Sequence, residues 1–141
     1  KVIQLRNGDE NLSNPEKIKK VFETGGDILL SIHCNSVALN VDPHRVRGTA
    51  VYYHHSSNRQ LAEFIHKKIV ELGFNSFGIF EGFNLSVNSM TELPAVLIET
   101  AFLSNPYDEV KLLDPAYQEK IADKITEGII NFLKWSNSEI K

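Results

Sequence analysis

A chain of 141 residues with 42% apolar and 23% charged side chains has the make-up of one globular domain, long enough to bury about two-thirds of the surface its unfolded form exposes. A net charge of −3 with scattered Lys and Arg argues against nucleic acid as a main partner, since phosphate binding needs a clustered positive surface. One cysteine, Cys34, leaves no internal disulfide. No apolar run is long enough to span a bilayer, and the opening KVIQLRNGDE does not look like a secretory signal.

Val2 to Leu5 is a short apolar run that reads as a strand, followed by turn chemistry from Arg6 to Asn11. Ser13 or Asn14 can cap a helix with Pro15 in its first turn, Ile18, Val21 and Phe22 on one face, and Gly25-Gly26 at its end. In Asp27 to Asn35, DILLSIHCN, the apolar residues Ile28, Leu29, Leu30 and Ile32 have no helical spacing. That pattern predicts a strand covered on both faces, the habit of parallel sheets. A polar loop from Ser36 to Gly48 carries Asp42, Pro43, His44, Arg45 and Arg47. Thr49 to His54 is rich in β-branched and aromatic residues and predicts the next strand. Ser56 or Ser57 then caps a helix with Leu61, Phe64, Ile65, Ile69 and Leu72 along one face, closed by Gly73. Asn75 to Glu92 reads mostly as loop, with a brief strand at Phe83 to Val87. Ala95 to Thr100 is a second buried strand after Pro94. Asn105-Pro106, with Asp108 and Glu109, starts a helix. Asp114-Pro115 starts the last one, which carries Ile121, Ile125, Ile129, Phe132 and Leu133 before a polar tail, SNSEIK. The fold class expected is α/β: a mixed, mostly parallel sheet flanked by helices, in a single domain.

Both buried strands end on side chains that can do chemistry. His33 and Asn35 lie two positions apart on the first, so they point to one side, at the strand end where open α/β sheets place their ligand crevices. Alone, His33 is more often a satisfied buried histidine than a ligand. Glu99 closes the second strand, and a carboxylate on an apolar strand is costly unless it is paired. Together they point to hydrolysis, with His33 holding a metal and Glu99 moving protons. The other histidines are weaker candidates: His54 and His55 face opposite ways, His66 reads as a surface residue beside Lys67 and Lys68, and His44 as a solvated loop residue. Cys34 is directed into the layer beneath the sheet and is set aside as a nucleophile.

These residues resemble a known family, the zinc-dependent N-acetylmuramoyl-L-alanine amidases that include the bacterial cell-separation amidases. Ser31-Ile32-His33-Cys34-Asn35 is similar to the family's Ser-Ile-His-x-Asn strand end, and Leu93 to Pro106 is similar to its Pro-Ala-Val-Leu-Val-Glu-x-Gly-Phe-Leu-Ser-Asn segment. Gly48 to Tyr53 and Leu61-Ala62 fall where the family has a Gly-x-x-x-Tyr-Tyr strand and a Leu-Ala helix start. The order and spacing of these motifs cover nearly the whole chain.

The resemblance implies one zinc ion, with His33 as a ligand, Glu99 as the catalytic glutamate and Asn35 orienting substrate, or alternatively capping its loop. It implies cleavage of the amide between N-acetylmuramic acid and L-alanine, with peptidoglycan as partner, a regulatory activator protein, and a periplasmic or extracellular setting reached through a signal upstream. The family's opening Asp-Pro-Gly-His-Gly-Gly motif and the helix bearing a glutamate ligand are not present. The domain expected over 1–141 is therefore an amidase catalytic domain without its first strand and helix. An arginine of the family is replaced around Asn88-Ser89, and Ala101 stands for its glycine. The alternatives are a non-catalytic peptidoglycan-binding or regulatory module of the same fold, and a carboxypeptidase-like metallopeptidase.

Overall fold

The computed structural model describes residues 1–82 and 90–139. Helix α1 (Asn14–Thr24) opens with a capping box, in which the Ser13 hydroxyl accepts from the Glu16 amide and the Glu16 carboxylate accepts from the Ser13 amide. Gly25 closes it in the left-handed region. Val2 to Leu5, expected as a strand, is not one. An extended run becomes a strand only when a neighbour completes its ladder, and no described strand pairs with it. Val2 is 88% exposed, while Leu5 packs with Ile18 against Val21, Leu29, Met90 and Ala95.

Four strands, β1 (Leu29–Asn35), β2 (Thr49–Tyr53), β3 (Ser76–Glu81) and β4 (Ala95–Phe102), form one sheet in the order β1-β4-β2-β3. The β1–β4 and β2–β3 pairs are parallel and β2–β4 is antiparallel, so the sheet is mixed with parallel pairing in the majority, as expected. Strand β3 falls where loop is expected: Gly78 interrupts its alternation, and the ladder with β2 supplies the order that its own sequence does not signal. The strand expected at Phe83 to Val87 lies outside the described residues.

Strand β1 departs from the expected covering on both faces. It has β4 on one side only, and although Leu29 is buried, Ile32 is 58% exposed. Ile32 and Cys34 line an apolar groove of about 250 Å³ with Leu112, Ile121 and Ile125.

A 3₁₀ turn, Ser56–Asn58, precedes α2 (Arg59–Val70). Asn58 rather than either serine stands at the N-cap, without a side-chain cap bond, because the Asn58 amide is already turned back onto the His55 carbonyl. Helix α3 (Pro106–Leu112) starts from Asn105, whose side-chain oxygen accepts from the Tyr107 and Asp108 amides. Helix α4 (Pro115–Glu139) runs on through residues expected as a polar tail, since extending a formed helix costs far less than starting one.

The main core lies between one sheet face and the pair α2 and α4. Val51, Tyr53, Val96 and Ile98 meet Leu61, Ile65, Ile69, Ile121, Ile125 and Phe132 there. Lys68, Glu71, Lys124 and Glu127 link the two helices at their outer edge. The closest approach is at Gly128, where a Cβ would come within 2.7 Å of the Ile65 Cα. Gly128→Ala is therefore expected to force the helices apart and to lower stability by about 1 to 2 kcal/mol despite its better helix propensity. Urea unfolding of the two proteins checks this.

Candidate active site

The ladder brings His33 and Glu99 together: they are direct partners across β1 and β4, so their side chains leave the sheet on the same face. Ala50 on β2 is the partner of Glu99 on its other side. That face differs from the one against α2 and α4. Among the described residues helix α1 covers the end at Leu29 and Ala95, while His33 is exposed and Glu99 partly buried.

Glu99 is the anomalous group. Its Oε2 is buried and has no hydrogen-bond partner within the described residues. Burial pushes its carboxyl above the ordinary carboxylate range. His33 is pushed the other way, first by partial desolvation and then by the positive charges of Lys17 and Arg6, which keeps the imidazole neutral and its nitrogen lone pair available. A half-buried carboxyl held toward protonation beside a neutral imidazole is suited to exchanging a proton with a substrate or water.

Local backbone order fixes these two side chains. The ladder shifts register between His33 and Asn35, so that Thr100 and Ala101 on β4 face Cys34 alone on β1. Bulges of this kind re-aim side chains and are common beside active sites. The Thr100 hydroxyl donates to the His33 carbonyl at 3.0 Å and lies 3.4 Å from Cys34 Sγ. The Thr49 hydroxyl donates to the Glu99 carbonyl at 3.2 Å. Neither threonine stands out in the sequence, because only the ladder reveals which carbonyls they reach.

Asn35 is placed at the loop entrance. Its side-chain oxygen accepts from the Ser36 amide at 2.8 Å, and its carbonyl accepts from Leu103. The loop after it is fastened from below. Asn105 donates to the Pro43 and Val46 carbonyls, and Asp108 accepts from the Gly48 and Phe102 amides. These two buried side chains tie the β1–β2 loop to the end of β4.

The remaining histidines are not brought to this centre. His54 and His55 lie past the Tyr53–Val96 pair, away from Glu99; His54 contacts the Gly82 carbonyl, and His55 lines a separate cavity of about 480 Å³ with Asn58, Met90 and Glu92. His66, expected at the surface, is buried, with Nε2 at 3.3 Å from Ser76 Oγ, because it follows Ile65 on the face of α2 that the sheet covers. His44 is exposed in its loop. Cys34 points away from His33, as expected, but the layer it meets is the open groove.

Among the described residues no three His, Cys, Asp or Glu side chains gather closely enough to hold a metal ion. The orphaned Glu99 oxygen beside His33 fits the edge of such a site, with His33 as one nitrogen donor, and a catalytic zinc ordinarily takes three protein ligands.

The mixed α/β sheet thus presents an imidazole and a carboxyl group from adjacent strands on one face. The chain belongs to the N-acetylmuramoyl-L-alanine amidase family, whose model matches residues 1–131. It is 30% identical over 137 residues to the N-acetylmuramoyl-L-alanine amidase LytC of Bacillus subtilis, covering 94% of this chain and 27% of LytC. The catalytic domain of the amidase CwlV from Bacillus (Paenibacillus) polymyxa var. colistinus superposes with a TM-score of 0.83 at 31% identity, over 95% of this chain and 73% of CwlV. The CwlD amidase from Clostridioides difficile, solved in complex with the GerS lipoprotein, gives 0.77 at 25% identity over 94% of this chain and 75% of CwlD. The chain thus spans about a quarter of the length of LytC.

The raised Glu99 carboxyl has a stability signature. A proton held more tightly in the folded state makes stability fall as pH rises from the unfolded value through the folded one. With chelator present, Glu99→Gln is expected to melt higher than the wild-type protein at pH 7. The gap should close as pH falls below about 4, and thermal melts across that range check it.

Proposed function

We propose that this chain carries part of the catalytic centre of a zinc-dependent amidase that hydrolyses the bond between N-acetylmuramic acid and L-alanine in peptidoglycan. The observation that carries the reading is the buried, unpartnered Glu99 oxygen on the strand beside His33. Family membership supports the reaction class and gives no ground for a carboxypeptidase-like peptidase.

His33 is the zinc ligand within the chain. Zinc, when bound, supplies Lewis-acid polarisation of the scissile carbonyl. Glu99 takes a proton from the attacking water as its oxygen adds to the carbonyl carbon, then gives it to the departing amine nitrogen as the C–N bond breaks. Its desolvated setting raises the proton affinity of the carboxyl, which favours its taking the proton. Asn35 orients the loop edge that substrate passes, supported by its place at the loop entrance.

Further zinc ligands would have to approach on the face of the sheet from which His33 and Glu99 emerge. The complex of the related CwlD amidase with the GerS lipoprotein supports a regulatory protein as a further partner. Action in the cell wall, outside the cytoplasmic membrane, follows from the substrate.

The incomplete donor set among the described residues favours one second reading, a peptidoglycan-binding module without catalysis. Zinc analysis separates the two. The natural full-length protein is expected to hold about one zinc and to release stem peptides with a free L-alanine amino terminus from purified sacculi. Glu99→Gln should keep its zinc and lose at least about 100-fold in rate, while His33→Ala should lose both zinc and rate. A full-length protein that binds sacculi without zinc or peptide release would establish the binding module instead.

A further inference from the structure

We propose that Tyr52 and Phe80 form a shelf beside Glu99 that binds a neutral sugar ring of the glycan strand, an inference that rests on the amidase reading above. The register places both rings on the catalytic face. Ala50 is the partner of Glu99 on one side and of Gly78 on the other, and two residues along, Tyr52 is the partner of Phe80. Alternation then puts Glu99, Ala50, Gly78, Tyr52 and Phe80 on the same side of the sheet. The Tyr52 hydroxyl is held above its ordinary range by burial and then by the Glu99 charge.

Among the described residues, helix packing does not account for these rings. Helices α2 and α4 cover the opposite face, and α1 reaches only Leu29 and Ala95. Phe80 remains 38% exposed and Phe77 41% exposed. Tyr52 and Phe80 are stacked with centroids 5.3 Å apart at 30°, and Phe77 braces the group at 5.7 Å from Phe80 and 5.0 Å from Phe102. The backbone is shaped for it: Gly78 has φ 141°, and a Cβ there would lie 2.7 Å from Phe80 Cζ. The tip of the Phe80 ring therefore lies over Gly78, and the side chain stays partly exposed.

The chemistry selects the occupant. A pyranose offers an apolar C–H face that packs on an aromatic ring and leaves its hydroxyls at the rim in water. The stem peptide carries carboxylates that call for cations, whereas the only charged residues on β2, β3 and β4 are Glu81 and Glu99. The scissile amide joins the sugar's lactyl group to the peptide, so a sugar subsite has to adjoin the proton-transfer group, as this shelf does.

The test uses the zinc-loaded full-length protein and two probes, an N-acetylglucosaminyl-N-acetylmuramyl disaccharide with its lactyl group amidated and the free stem peptide. Saturation of the protein's aromatic protons is expected to pass to the sugar ring protons of the disaccharide. Phe80→Leu should weaken disaccharide binding about five-fold, the order of one ring contact beyond its area, and raise KM for muropeptide with kcat little changed. Phe80→Trp should restore both. Saturation reaching the stem peptide and not the disaccharide, or equal disaccharide binding by Phe80→Leu, overturns the shelf while muropeptide cleavage by the wild-type enzyme keeps the amidase reading. A zinc-loaded wild-type protein that cleaves no muropeptide removes both.

Discussion

The arrangement depends on one constraint, a carboxyl group held half-buried on an inner strand and without a hydrogen-bond partner for Oε2 among the described residues. Strand β4 is hydrogen-bonded on both sides, to β1 and to β2, so Glu99 has no freedom to swing its backbone toward solvent. The cost of that placement is local, and the same strand offsets it. Val96 and Ile98 are fully buried against the helices, each worth about 1.5 to 3 kcal/mol relative to exposure. A strand anchored this firmly on one face can hold a desolvated acid on the other.

The two faces of the sheet are thereby given different work. One packs β2 and β4 against α2 and α4, whose backbones come close at Gly128 and Ile65, and opens at β1 into the groove beside Ile32 and Cys34. The other is covered at one end by α1 and left accessible where His33, Glu99, Tyr52 and Phe80 emerge. Rigidity on the packed side is what keeps the accessible side in register, since side chains on adjacent strands hold their spacing only as well as the ladder does. The lowered His33 and raised Glu99 then follow from the same partial desolvation, acting on a base and an acid in opposite directions.

Much of this is legible in the residue order, and the exceptions have a common cause. The run leading to His33, the Ser13 cap and the Asn105-Pro106 helix start are local signals and appear where expected, while β4 runs on past Glu99, expected at its end, to Phe102. What local pattern does not carry is who the neighbour is. Val2 to Leu5 has strand chemistry but no described partner, while Ser76 to Glu81 has weak strand chemistry and becomes β3 because β2 lies beside it. Ile32 reads as core and is exposed because β1 is an edge. His66 reads as surface because Lys67 and Lys68 follow it, yet its own turn of the helix faces the sheet. The shared face of His33 and Glu99 is a register property, visible only once strands 66 residues apart in sequence are paired; the aromatic shelf is hidden in the sequence for the same reason.

The bulge beside His33 shows how the chain reconciles catalytic aim with backbone saturation. A register shift leaves carbonyls without their usual ladder partners, and a buried unpaired carbonyl costs about 1 to 3 kcal/mol. Here the shift between His33 and Asn35 is absorbed by the Thr100 hydroxyl, which takes the His33 carbonyl, and by the Leu103 amide, which takes that of Asn35. The Ala101 methyl, where the family has glycine, is fully buried in the main core, so the bulged segment is filled on its packed side. Immediately beyond, Asn105 and Asp108 bind the loop that leaves Asn35. Strand end, bulge and loop are thus tied together by side-chain hydrogen bonds from Thr100, Asn105 and Asp108.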